Sequence, residues 1–178
     1  MIAYLDSSAL VKLYLVERGS RETIALTARS EMVATSIVSR AEVAAALAKA
    51  VRVHLLTELV ARRAQRAFDR DWQDLLRVPV TEALVDRARA LAWNHALRGY
   101  DAVQLASALM WQESIGLEVV VGTFDRQLWT AAQQAGLKAW PEEARVPLGR
   151  GGRQQPKTAI PGRQRSLNPR DHGDKRAT

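Results

Sequence analysis

Apolar residues along this chain follow two rhythms. Ile2 to Leu5 and Val119-Val120-Val121, the latter flanked by Gly122 and Thr123, are short apolar runs that stop abruptly, as strands buried on both faces do. Met32 to Thr35, Arg77-Val78-Pro79 and Leu137 to Trp140 are weaker strand candidates, each following a stretch of helical composition. Elsewhere apolar residues recur at three and four within Ala-, Leu-, Arg- and Glu-rich segments, which predicts helices. Ser39 to Val51 places Val43, Leu47, Ala50 and Val51 on one face, and Thr57 to Leu76 reads as one long basic helix. Thr81 to Ala96 gathers Leu84, Val85, Ala88 and Leu91, and Tyr100 to Ile115 gathers Val103, Ala106, Leu109 and Met110. Asp125 to Ala135 ends at Gly136, a residue suited to the left-handed turn that stops a helix. Trp93, Trp111 and Trp129 lie in these helices and are expected to fill core. Strands alternating with helices of this length imply an α/β fold, its mostly parallel sheet covered on both faces.

The rhythm vanishes after Pro147, where glycines and prolines punctuate a stretch with almost no large apolar residues. Residues 1–147 are therefore read as one domain, and 148–178 as a basic Gly/Pro-rich tail that buries too little to fold and is expected to be disordered. This division changes the meaning of the formal charge of +7. Residues 149–178 hold eight Lys or Arg against two Asp, whereas the remainder of the chain holds 18 basic against 17 acidic residues. The body is nearly neutral, and the excess charge belongs to the appendage. The absence of cysteine excludes disulfides, thiolate zinc sites and a cysteine nucleophile. With no basic leader and no apolar run of membrane length, a cytoplasmic protein without membrane association is expected. His54, His95 and His172 match no metal spacing, and no glycine-rich phosphate loop is present.

Candidate chemistry rests on four acids. Ligands of an open parallel sheet bind beyond the carboxyl ends of its strands, and Asp6 and Asp125 follow the two clearest strands directly. Glu42 falls in the first turn of the helix after the Met32 strand, and Asp101 in the first turn of the helix introduced by Arg98-Gly99-Tyr100. Each has a structural alternative. Ser39-Arg40-Ala41-Glu42 matches a capping box, Asp125 suits an N-cap, and Asp101 complements a helix dipole. Asp6 is harder to account for structurally, because an acid ending a buried strand is costly unless it is paired or bound to a cation. Several carboxylates at one sheet edge repel each other, and a divalent cation resolves that repulsion; an all-oxygen set suits Mg²⁺ or Mn²⁺ rather than zinc. The chemistry such a site serves is phosphodiester hydrolysis. Arg98 and Arg126, beside site acids, are candidates for holding the scissile or a flanking phosphate. Arg62, Arg63, Arg66 and Arg70 form a basic ridge, open either to phosphates or simply to solvent.

Leu5-Asp6-Ser7-Ser8-Ala9-Leu10-Val11-Lys12-Leu13, Glu42, Tyr100-Asp101-Ala102-Val103-Gln104-Leu105-Ala106 and Thr123-Phe124-Asp125-Arg126-Gln127-Leu128, in this order, resemble a PIN domain of the VapC type over residues 1 to 140. The resemblance implies a three-layer α/β/α fold and an Mg²⁺- or Mn²⁺-dependent endoribonuclease that acts as the toxin of a toxin–antitoxin pair. It further implies RNA as substrate, a VapB-like antitoxin as partner and a homodimer. Asp6, Glu42 and Asp101 match the family's principal metal-binding acids and Asp125 the fourth; Ser7 and Thr123 match small polar positions that orient acids or water. The alternative is a non-catalytic PIN-like module that binds RNA or protein without cutting.

Overall fold

The computed structural model describes residues 1–142; the expected boundary at 147 and the disordered tail lie outside them. Five strands, β1 (Ile2–Leu5), β2 (Met32–Ser36), β3 (Leu76–Val78), β4 (Val119–Gly122) and β5 (Lys138–Trp140), form one sheet in the order β3-β2-β1-β4-β5, every neighbouring pair parallel. The connections carry seven α-helices among the described residues: α1 (Ser7–Leu10), α2 (Ser20–Ala28), α3 (Ser39–Arg52), α4 (Glu58–Asp71), α5 (Glu82–His95), α6 (Gly99–Ile115) and α7 (Arg126–Gln134).

The alternation of β1 divides the interior. Ile2 and Tyr4 face one apolar cluster, with Leu84 and Ala88 of α5, Leu105 and Leu109 of α6, and Leu128 of α7. Ala3 and Leu5 face the other, with Leu10, Leu26 of α2, Val43 and Leu47 of α3, and Phe68 of α4. Because successive strand residues point to opposite faces, a fully buried β1 must be covered twice, and a three-layer α/β/α arrangement follows. The chain leaves β1 toward β2 and β3, then returns to place β4 on the other side of β1. The gap between the carboxyl ends of β1 and β4 is therefore the topological switch point of the sheet.

Two glycines set local geometry. Gly136 adopts φ +85° after α7, with its N–H bonded to the Gln133 carbonyl and that of Leu137 to Ala132, which is the expected helix stop. Gly19 adopts φ +95° ahead of α2, and a Cβ there would collide with the Phe124 ring, so the chain before α2 closes tightly over the segment that follows β4.

Three expectations need correction. The segment from Thr57 is not helical to Leu76: α4 ends at Asp71, a 3-10 turn covers Trp72–Asp74, and Leu76 begins β3. Burial decides this, since Trp72 and Leu75 turn inward against the α3–α4 side of the core, which a straight continuation would prevent. Trp93 does not fill core but is 89% exposed, whereas Trp111 and Trp129 pack partly against the α5–α7 side. Val85, expected on the buried face of its helix, is also exposed. Among the described residues no helix is long and apolar enough to cross a membrane.

Candidate active site

Asp6 continues the β1–β4 ladder by one residue, its N–H bonded to the Gly122 carbonyl at 3.1 Å, so its side chain emerges at the switch point. It is 3% exposed. Its Oδ1 accepts from the Ala9 N–H at 2.8 Å and caps α1. The Ser8 hydroxyl faces both carboxylate oxygens at 2.8 and 2.9 Å, and Thr123 Oγ1 donates to Oδ2 at 2.8 Å. Ser8 Oγ and Thr123 Oγ1 in turn accept from the Phe124 and Asp125 N–H groups. The expected orienting role of Thr123 has a geometric counterpart here, and Ser8, not Ser7, is its counterpart on the α1 side. Burial nevertheless pushes the Asp6 carboxyl up to about 7, against the lowering effect of these donors and with a further rise from Glu42.

Glu42 enters from α3, and the capping-box alternative fails: the helix begins on Val38 without a side-chain cap, and Ser39 points inward. Ser39 Oγ shares a 2.7 Å hydrogen bond with Thr35 Oγ1, which itself donates to the Leu5 carbonyl. Gln104 of α6, buried at 2% exposure, joins these groups: its Nε2 donates to Ser39 Oγ at 2.9 Å and to Glu42 Oε2 at 2.5 Å. Its Oε1 accepts from the Tyr4 hydroxyl at 2.6 Å. Ser7, expected beside the acids generally, acts on Glu42, where its hydrogen bond favours the carboxylate. Glu42 is raised above the usual range by burial, and Asp101 raises it further.

Asp101 stands in the first turn of α6, one helical turn before Gln104 on the same face. Its Oδ2 is buried and has no hydrogen-bond partner, a cost that helix-dipole complementation leaves unexplained. Burial raises its carboxyl and Asp125 adds to the rise, while Arg98 opposes it. Asp125 does cap its helix, Oδ1 accepting from Gln127 and Leu128 N–H groups at 2.8 and 3.0 Å. The structure thus brings the four acids into one electrostatic neighbourhood: Glu42 acts on Asp6, Asp101 on Glu42, and Asp125 on Asp101. None of the four forms a salt bridge among the described residues.

This donor set suits a hard divalent cation. It is all oxygen, burial and then neighbouring carboxylates raise the proton affinity of Asp6, Glu42 and Asp101, and it strands one buried carboxylate oxygen. With the side chains as they stand, no three described His, Asp or Glu residues are gathered within reach of a single ion. Arg98 and Arg126 are exposed on the rim, Arg126 lining a pocket of about 260 Å³ with His95, Gln127, Thr130 and Gln134. On the α4 ridge, Arg62 is engaged by Glu58 at 2.6 Å.

Sequence reasoning missed the Tyr4–Gln104 pair and assigned Ser8 no role of its own. The signal for Gln104 was a carboxamide that shares the mostly apolar helix stretch Ala102 to Leu109 with Ser107 as its one other polar residue, and a buried carboxamide must find partners.

The PIN domain family model matches residues 3–133. Ribonuclease VapC49 of Mycobacterium tuberculosis is 41% identical over 142 residues, spanning 80% of this chain and 96% of that protein. Among solved structures, PAE2754 from Pyrobaculum aerophilum shares the fold with a TM-score of 0.54 at 22% identity, over 78% of this chain and 83% of its own. VapBC2 from Rickettsia felis, solved with a DNA fragment from their promoter, does so with a TM-score of 0.52 at 12% identity, over 78% and 97%.

Proposed function

The chain belongs to the PIN-domain family, and from that premise we propose that it is a divalent-cation-dependent endoribonuclease, the toxin of a VapBC-like toxin–antitoxin module acting in the cytoplasm. The observation that carries the metal reading is the stranded, buried Oδ2 of Asp101 among three further carboxylates, none of the four in a salt bridge among the described residues. Kinship at 41% identity to a ribonuclease, along nearly that protein's whole length, supports RNA as the substrate.

Asp6, Glu42, Asp101 and Asp125 would hold Mg²⁺ or Mn²⁺. The bound cation would supply positive charge against the phosphate and acidify water for attack. Asp6 provides the fixed point, because Ser8, Thr123 and the Ala9 N–H leave its carboxylate little freedom. Glu42 and Asp101, only partly buried, have the freedom to close toward the ion from the opposite side. Asp125 keeps Oδ1 on its helix N-terminus and offers Oδ2 to the site, directly or through water. Arg98 and Arg126 hold phosphates of the RNA on either side of the cut. The toxin role brings a VapB-like antitoxin as partner. Homodimer formation has a candidate face in the apolar groove of about 380 Å³ between α5 and α6, which includes exposed Val85 and Tyr100.

Purified protein free of antitoxin tests the reading on a structured mixed-sequence RNA with Mg²⁺, Mn²⁺ or EDTA. Cutting that requires the cation and disappears in Asp6→Asn is the expected result. RNA binding without cutting under every metal would replace it with a non-catalytic module.

A further inference from the structure

We propose that Gln104 is the positioning residue of the site: its carboxamide, oriented by the Tyr4 hydroxyl, holds the Glu42 carboxylate in register with Asp101. The inference rests on the metal-site reading above and assigns Gln104 no contact with substrate.

The polarity of the chain of bonds is the argument. Tyr4 is fully buried, and its hydroxyl donates to Gln104 Oε1 at 2.6 Å. An amide whose oxygen is claimed in this way cannot flip, so Nε2 is committed to the opposite side. There its two protons meet two acceptors, Ser39 Oγ at 2.9 Å and Glu42 Oε2 at 2.5 Å. Two of the three partners are anchored elsewhere: Tyr4 in the central strand, and Ser39 through Thr35 to the Leu5 carbonyl immediately before Asp6. Glu42, the third, is only partly buried and is held by Gln104 together with the Ser7 hydroxyl.

Gln104 also lies three residues after Asp101 on the same α6 face, so a single rigid helix carries one acid and grips a second. The separation of Glu42 from Asp101 then depends on one side-chain length instead of on the relative placement of α3 and α6. Partners of this kind orient metal-binding carboxylates, and their loss typically lowers metal affinity by roughly 10- to 100-fold.

Removing the amide alone would leave the Tyr4 hydroxyl stranded, so the decisive variant is the double substitution Tyr4→Phe/Gln104→Met, which removes both buried polar ends at similar volume. The expected result is a melting temperature close to wild type, Mn²⁺ affinity by calorimetric titration weakened roughly tenfold or more, and kcat lowered at saturating RNA with KM for RNA unchanged. Tyr4→Phe alone, which frees the amide to turn, should give an intermediate loss of Mn²⁺ affinity. A double variant that melts like wild type and also binds Mn²⁺ and cuts RNA like wild type would overturn the proposal. So would a double variant whose only defect is a lower melting temperature. If Glu42→Gln loses Mn²⁺ while the double variant keeps it, the metal reading stands and the role of Gln104 falls; wild type that takes up no Mn²⁺ would overturn both.

Discussion

The two sides of the acid cluster are built by opposite means. On the strand side, Asp6 and Asp125 are held by backbone N–H groups of the helices they cap and by hydroxyls of Ser8 and Thr123. On the helix side, Glu42 is held by side chains alone, the Gln104 carboxamide and the Ser7 hydroxyl, and Asp101 leaves a buried oxygen unsatisfied. The strand side is determined by local geometry at the sheet's switch point; the helix side stays adjustable. A cation site assembled in this way has a fixed half and a closing half, and substitutions in the two halves should fail differently.

The largest effect should come from the fixed half. Asp6→Asn is expected to lower cleavage by on the order of 10²–10³-fold or more, read in single-turnover assays, while the metal-free protein becomes more stable. The sign follows from linkage: the folded carboxyl titrates near 7 and the unfolded one near 3.8. Folded protein therefore retains a proton that the unfolded chain has lost, and metal-free stability falls as pH rises from 3.8 to about 7, by up to about 4 kcal/mol. Urea titrations in EDTA at pH 5 and pH 8 should show this decline in wild type and a clearly smaller one in Asp6→Asn, where only Glu42 and Asp101 remain raised. Next comes the closing half. Asp101→Asn should lose cleavage to a comparable degree, but its stability should shift by no more than about 1 kcal/mol, because the site is only half buried and no hydrogen bond to the carboxylate is broken.

Thr123→Val sharpens the contrast. It removes the donor to Asp6 Oδ2 and the acceptor for the Asp125 N–H, and should cost roughly 1–3 kcal/mol of stability together with about tenfold in cleavage. The smallest effect is expected outside both halves: Arg126→Ala should raise KM for RNA roughly threefold without changing Mn²⁺ affinity. Equal changes in Mn²⁺ affinity for Arg126→Ala and Asp101→Asn would erase the distinction between rim and site.

Sequence pattern revealed the strand side more fully than the helix side. Asp6 and Asp125 were legible because abrupt ends of apolar runs mark strand ends, and strand ends mark the ligand edge of a parallel sheet. Placement of Glu42 and Asp101 in first helical turns was legible too, but their surroundings were not. Whether Ser7 or Ser8 turns toward Asp6 depends on the rotation of a four-residue helix, which no periodicity resolves. Gln104 and Tyr4 meet across 100 residues of chain, a contact that exists only once α6 has packed on the sheet. The same limit explains Trp93 and the end of α4: composition marks a helix, while packing decides which apolar residues are buried and where the chain turns inward.

The most direct test is an anomalous-scattering map from crystals of the protein grown with Mn²⁺. The account predicts density bounded by the carboxylates of Asp6, Glu42, Asp101 and Asp125, with the Asp101 Oδ2 drawn into coordination. Active protein whose Mn²⁺ sits elsewhere, with these four side chains unmoved, would contradict it.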